Sequence, residues 1–231
     1  MSRGALKIVL LEAPIELVPE TIRGHPAIVK WAKRRRKKPS EILLDVSLHR
    51  RAMEDLPKRH KRGRPDIVHI TLLLIMESYI NRKNMLEIFV HTINNELIHI
   101  NPTTRLPKNY NRFVGLMEQL LKVGRVPPTS SKPLLWVERG VGVGDVAQRI
   151  GTNGLLLLWE RGERAKATDV VKLAMDENLA ICIGAFPHGD FDEETLGAAE
   201  RKYSLYEGSP LPAWVIASKI IFSAEELLGI T

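Results

Sequence analysis

Leu155-Leu-Leu-Leu-Trp-Glu160, Ala167-Thr-Asp-Val-Val-Lys-Leu-Ala-Met-Asp-Glu177 and Ala180-Ile-Cys-Ile-Gly-Ala-Phe186 follow one another along the chain. Their order decides the fold. Two continuous apolar runs, each of strand length, flank a segment with helical periodicity. Strands buried on both faces read as such runs, and a strand–helix–strand order implies parallel pairing. Upstream, the pattern adds a strand at Leu134–Glu138 and a short helix at Asp145–Ile150. Downstream it adds a short strand at Tyr203–Tyr206, a Gly208-Ser-Pro turn and a terminal helix from Ala213 to Leu228. Ligands of parallel sheets sit at the carboxyl ends of the strands. Those ends are Glu160-Arg-Gly162, Gly184-Ala-Phe-Pro-His-Gly189 and Leu205 to Leu211.

The N-terminal half is less regular. Leu6 to Ala13 reads as a buried strand bounded by Pro14. Trp31 to Pro39 is too charged to pack and reads as an exposed loop or frayed helix end. Glu41 to Val46 is a second strand candidate. Pro65 opens an apolar run to Met76; proline and Asp66 both suit a first helical turn, so a helix is expected, with a strand as the alternative. Leu86–His91 and Glu96–Ile100 flank Asn94-Asn95, a pair that tolerates positive φ, and predict a β-hairpin. Pro107 is expected to open a helix with an apolar face of Phe113, Leu116, Met117, Leu120 and Leu121. Lys108, Arg112, Gly115 and Gln119 form a polar stripe beside it. Arg125 to Pro133 is a linker by composition, and there is no internal repeat.

The chain has 231 residues and a formal net charge of +7. That length suits one large domain or two small ones. No apolar run approaches the roughly 20 residues of a membrane span. Leu6–Leu11 stops at Glu12 without a small-residue cleavage site, so it does not read as a signal peptide. A lone cysteine, Cys182, gives no internal disulfide and fits a reducing compartment. The cations cluster in Lys30–Lys38 and Lys58–Arg64. Such runs attract polyanions, although a solvated face would also account for them.

Two motifs give these runs direction. His99-Ile-Asn-Pro-Thr-Thr-Arg-Leu-Pro-Lys-Asn-Tyr-Asn-Arg-Phe113 places Arg105, Lys108 and Arg112 at a strand-to-helix junction. Upstream, Arg62-Gly-Arg-Pro-Asp66 puts a carboxylate two residues from Arg64. A carboxylate bonded to a guanidinium fixes its direction, which would preorganise Arg64 for a phosphate or a base edge. Gly142-Val-Gly-Asp-Val-Ala147 has the form of a dinucleotide turn, with Glu160 near the position of a ribose-binding acid. Asp145, however, stands where a pyrophosphate would meet the helix N-terminus, which favours a plain tight turn. His69, His91 and His99 lack metal-ligand spacing, and Cys182 sits within an apolar strand.

These segments together resemble the Emg/Nep ribosome-biogenesis methyltransferases of the SPOUT, or α/β-knot, class. The matching stretches are Arg62–His69, Asn101–Lys108 with Asn111-Arg-Phe113, Gly184–Gly189, and Ser209-Pro-Leu211 leading into the terminal helix. The resemblance implies an α/β fold with a mostly parallel sheet, helices on both faces, a C-terminal trefoil knot and a β-hairpin insertion. It implies one domain over 1–231, with basic RNA-binding elements mainly within 30–125 and the knot within about 155–231. It implies methylation of nitrogen-1 of a pseudouridine in small-subunit ribosomal RNA, with S-adenosylmethionine as donor and S-adenosylhomocysteine as product. Arg64, Arg105, Lys108 and Arg112 would contact RNA, and Asp66 would orient Arg64. Trp159, Glu160, Gly184, Gly189, Leu205, Tyr206, Glu207, Gly208, Ser209, Pro210 and Leu211 would form the donor site. A homodimer is implied, without metal or membrane, cytoplasmic in a prokaryote and nucleolar in eukaryotic relatives.

Two positions depart from the family pattern. Lys108 replaces the usual arginine, which keeps the charge but loses the two-pronged contact. Glu77-Ser-Tyr79 stands where relatives show Asp-Ser-Pro, so Glu77 is the candidate for a catalytic carboxylate displaced by one methylene. A non-catalytic RNA-binding assembly factor and a dinucleotide-dependent oxidoreductase are the alternative functions.

Overall fold

Leu6–Ala13, apolar and almost wholly buried, forms β1 near the centre of an eight-stranded sheet. The computed structural model describes residues 4–206 and 210–230. The other strands are β2 (Leu86–Thr92), β3 (Glu96–Ile100), β4 (Arg125–Val126), β5 (Leu135–Arg139), β6 (Gly154–Arg164), β7 (Leu179–Gly184) and β8 (Arg201–Ser204). Their order is β4-β5-β3-β2-β1-β7-β6-β8. Pairing is parallel from β2 through β1, β7 and β6 to β8. It is antiparallel among β2, β3, β5 and β4, so the sheet is mixed and mostly parallel. β2 turns into β3 through Asn95, whose φ of 56° is one that asparagine tolerates.

Nine α-helices lie among the described residues, eight between strands and the ninth after the last. They are α1 (Pro26–Arg35), α2 (Val46–His49), α3 (Pro65–Met76), α4 (Tyr79–Arg82) and α5 (Tyr110–Val123), then α6 (Val146–Ile150), α7 (Ala167–Asp176), α8 (Glu193–Ala198) and α9 (Ala213–Leu228). α3 is apolar nearly all round because it is covered on most sides. It packs with α5, α9 and α7 into the larger core, where Phe113 and Ile75 are fully buried. A smaller core on Val9, Leu11, Leu157 and Cys182 receives Val146 and Ile150 of α6.

β8 pairs with β6 on both sides of a register break between Leu158 and Glu163. A Cβ at Gly162 would lie 2.7 Å from the backbone of Lys202 and Tyr203. Only glycine lets the two chains approach that closely.

Several expectations are corrected. Glu41–Val46 makes no sheet strand; it forms one bridge, Leu43 to Leu17, and Asp45 caps α2. Trp31–Pro39 is helical through Arg35 and buries Ala32. The helix expected from Pro107 starts at Tyr110, where Asn109 caps it by accepting from the Arg112 amide at 3.2 Å. Lys108 therefore lies before that helix. The last strand ends at Ser204, two residues before the sequence reading placed it, and β7 ends at Gly184.

Candidate active site

The middle of β6, at Leu158–Glu160 where its register with β8 breaks, and the carboxyl end of β7 open into a cavity of about 410 Å³, closed by the segments around β8 and the start of α9. Its walls include Trp159, Glu160, Gly184, Gly189, Leu205, Tyr206, Pro210 and Leu211, all expected from the sequence. Glu207, Gly208 and Ser209 lie outside the described residues. Apolar and aromatic surface dominates the remaining wall, from Leu158, Ile183, Phe191 and Trp214. A Cβ at Gly184 would lie 2.8 Å from the Phe191 ring and 3.0 Å from Phe186, so glycine lets this ring pair close over the strand end. Asp190, missed in the sequence reading, accepts from Trp159 Nε1 at 2.7 Å and from the Phe191 amide at 2.8 Å. Its only sequence signal is its place after Gly189.

Arg64 and Ile67, at the start of α3, line the same cavity. Arg64 is held in two-pronged fashion: Nε donates to Asp66 Oδ1 at 2.8 Å and Nη2 to Oδ2 at 2.7 Å. This is the arrangement that Arg-Pro-Asp predicts. The hydrogen bond to Asp66 raises the guanidinium's affinity for its proton.

The second motif runs alongside α3. Asn81 Nδ2 donates to Pro102 O at 3.1 Å, and His69 Nε2 lies 2.7 Å from Pro107 O. His69 also stacks on Phe113, with centroids 4.3 Å apart. At the near end the Tyr110 hydroxyl donates to Asp45 at 2.5 Å. Burial, then this bond, raises the phenol well above its usual range, so it stays neutral. Asp45, His69 and Tyr110 join the two motifs, and none was selected from sequence. Asp45 could have been: Asp-Val-Ser is a helix-capping pattern, and its Oδ1 accepts from the Ser47 amide at 2.9 Å.

Arg105 and Arg112 are exposed and form no ion pair among the described residues. Lys108 is also exposed and lies 3.6 Å from Glu77. Glu77 itself is at the C-terminal end of α3, half-exposed, and 3.5 Å from Arg82. It does not line the cavity. Since α3 rises roughly 18 Å over its length, Glu77 and Arg64 mark opposite ends of that wall.

The other candidates are structural. Gly142–Ala147 makes one tight turn before the five-residue α6 and is no part of the cavity. His91 Nε2 is 2.8 Å from Val141 O, and burial holds its basicity down. His99 stacks on Trp136. Cys182 is fully buried, and burial raises its thiol far above the reactive range. Among the described residues there is no group of three potential metal ligands and no helix long and apolar enough to cross a membrane.

The family model for EMG1/NEP1 methyltransferase matches residues 8–225. The ribosomal RNA small subunit methyltransferase Nep1 of Staphylothermus marinus is 49% identical over 97% of both chains. That of Thermococcus kodakarensis is 44% identical over 97% of this chain and all of its own. The crystal structure of Archaeoglobus fulgidus Nep1 bound to S-adenosylhomocysteine superposes with a TM-score of 0.86 at 42% identity, covering 97% of this chain and 99% of that one. The chain belongs to the EMG1/NEP1 methyltransferase family.

Proposed function

We propose that this protein methylates nitrogen-1 of a pseudouridine in small-subunit ribosomal RNA, with S-adenosylmethionine as donor, during ribosome biogenesis. One observation carries the reading: Arg64, fixed by Asp66, shares a single cavity with the strand-end loops. An anion-directed guanidinium thus borders the pocket suited to a small ligand. The pocket fits a nucleoside donor in size and character, being largely apolar with two carboxylates, Glu160 and Asp190, in its lining. When bound, S-adenosylmethionine supplies a sulfonium-activated methyl group, so the acceptor needs positioning and loss of a proton rather than a metal.

Arg64 orients the target nucleotide, and Arg105, Lys108 and Arg112 hold the flanking backbone. Lys108 contributes charge alone. Target recognition takes a splayed nucleotide, as is usual for sequence-specific RNA binding. Positioning of this kind supplies large accelerations, with effective molarities of about 10⁵ M or more. Neutral Tyr110 and distant Glu77 are poor candidates for a strong base, and the reaction as proposed requires none.

We also propose that residues 1–231 act as one unit whose C-terminal segment is knotted. The packing of α9 on α3 and α7, after the chain has left the β8 edge, supports this. Phe222 of α9, 66% exposed, supports a homodimer that would cover it. The expected location is the cytoplasm. Labelled-methyl transfer to hairpins carrying uridine or pseudouridine tests the main reading: transfer to pseudouridine alone is expected, and equal or absent transfer to both defeats it.

A further inference from the structure

We propose that Lys61 is a positioning residue that docks the pocket-lining loop Ala185–Asp192 onto the end of β1. The inference rests on the reading of the cavity as a methyl-donor pocket. The loop carries Phe186, Gly189, Asp190 and Phe191 into that cavity. Beyond Ala185, whose amide donates to Leu11 O at 2.9 Å, residues 186–191 make no backbone-to-backbone hydrogen bond among the described residues. Side chains must therefore hold the loop.

Lys61 is 3% exposed, which is rare for a lysine and requires compensation. Nζ donates to Glu12 Oε2 at 2.5 Å and to Asp192 Oδ1 at 2.9 Å. Glu12 Oε1 in turn accepts from the Asp192 amide at 2.8 Å. Glu12 has φ of 52°, a left-handed conformation that a residue with a Cβ adopts only under constraint. Nζ also sits 4.6 Å from the centre of the Phe186 ring, and Phe186 meets Phe191 edge-on at 5.1 Å. Gly189 lies against the His60 ring, where a Cβ would come within 2.9 Å. The segment that clamps the loop is the one that leads into Arg64. Lys61 therefore fixes the donor-pocket loop against β1, and it does not itself line the cavity.

The test is calorimetric titration with S-adenosylhomocysteine together with steady-state kinetics. Lys61→Met is expected to weaken S-adenosylhomocysteine binding by about tenfold or more. The KM for S-adenosylmethionine should rise in parallel, with kcat and the KM for RNA within about twofold of wild type. Lys61→Arg, which keeps both ion pairs, should restore most of the affinity. A merely structural lesion would lower the active fraction, hence kcat, and leave KM alone. Asp192→Asn removes one arm of the clamp at a half-exposed carboxylate and carries the test if Lys61→Met does not fold; a several-fold loss of affinity is expected. Unchanged affinity in these variants, with normal binding by wild type, would overturn the inference. No binding by wild type would overturn the donor-pocket reading and this inference with it.

Discussion

Along Lys58–Arg64, Lys58 and Lys61 reach Asp192, Lys61 reaches Glu12, Arg62 reaches Glu16, and Arg64 reaches Asp66. Along Lys30–Lys38, only Arg35 and Lys37 are paired, both with Glu118. Lys30, Lys33, Arg34, Arg36 and Lys38 are exposed and form no ion pair among the described residues. In sequence the two runs are equivalent stretches of positive charge. In the fold, the second is largely neutralised by carboxylates, of which Glu12, Glu16 and Asp192 come from distant parts of the chain, and its work is to join loops. The first is tied down by one buried carboxylate, which fixes α1 on α5 and leaves the other cations facing solvent. A basic run becomes a polyanion surface only where the fold brings no acid to meet it.

Four experiments sharpen or break that contrast. The largest effect is expected from Arg62→Ala, which strands the buried carboxylate of Glu16. Removing one partner of such a pair costs about 3–5 kcal/mol, and urea unfolding should show it. A loss below about 1 kcal/mol would mean that the second run is not structural. Next, Lys33→Ala, Arg34→Ala and Arg36→Ala together should leave stability within about 1 kcal/mol. They should also lower the slope of log affinity for RNA against log salt by about 3. An unchanged slope would make α1 an ordinary solvated face.

Arg112→Ala should lower the same slope by about 1 while leaving S-adenosylhomocysteine affinity unchanged. Arg64→Ala is a less clean test than the motif suggests, because Arg64 also lines the cavity. The smallest effect concerns acid. Burial acts to raise the carboxyl of Asp192, but the hydrogen bonds from Lys58 and Lys61 outweigh it and hold the group below its usual range. Its stabilisation is therefore present above the unfolded value of about 3.9 and lost as pH falls through the lower folded value. Asp192→Asn should cost about 0.5 kcal/mol at pH 7, a figure already reduced for solvent screening, and the difference from wild type should shrink as pH falls below the unfolded value. A constant difference across that range would show that the pair is not ionic.

The C-terminal half was legible because its strands are continuous apolar runs separated by one well-patterned helix. Local signals and tertiary pairing agree there. In the N-terminal half they compete. Glu41–Val46 has strand-forming residues, yet Leu43 finds a single bridge to Leu17 and its amide donates to Glu118. Pro107 looks like a helix start, but its carbonyl is engaged by His69 and the helix begins at the Asn109 cap. The Arg64–Asp66 pair was readable because both partners lie two residues apart. The acids at 12, 16, 118 and 192 were not, since nothing local says which cation a distant carboxylate will meet. That is why both basic runs looked alike.

The sheet order has a further consequence. β1, near the start of the chain, is flanked by β2 on one side and by β7 on the other, and the cavity is completed by residues up to Ile216. Contacts of such long sequence separation form late and fold slowly. During synthesis, the cations of α1 and α5 therefore emerge well before the strands that enclose the cavity. A growing chain therefore presents its positive charge to solvent before it has the chamber.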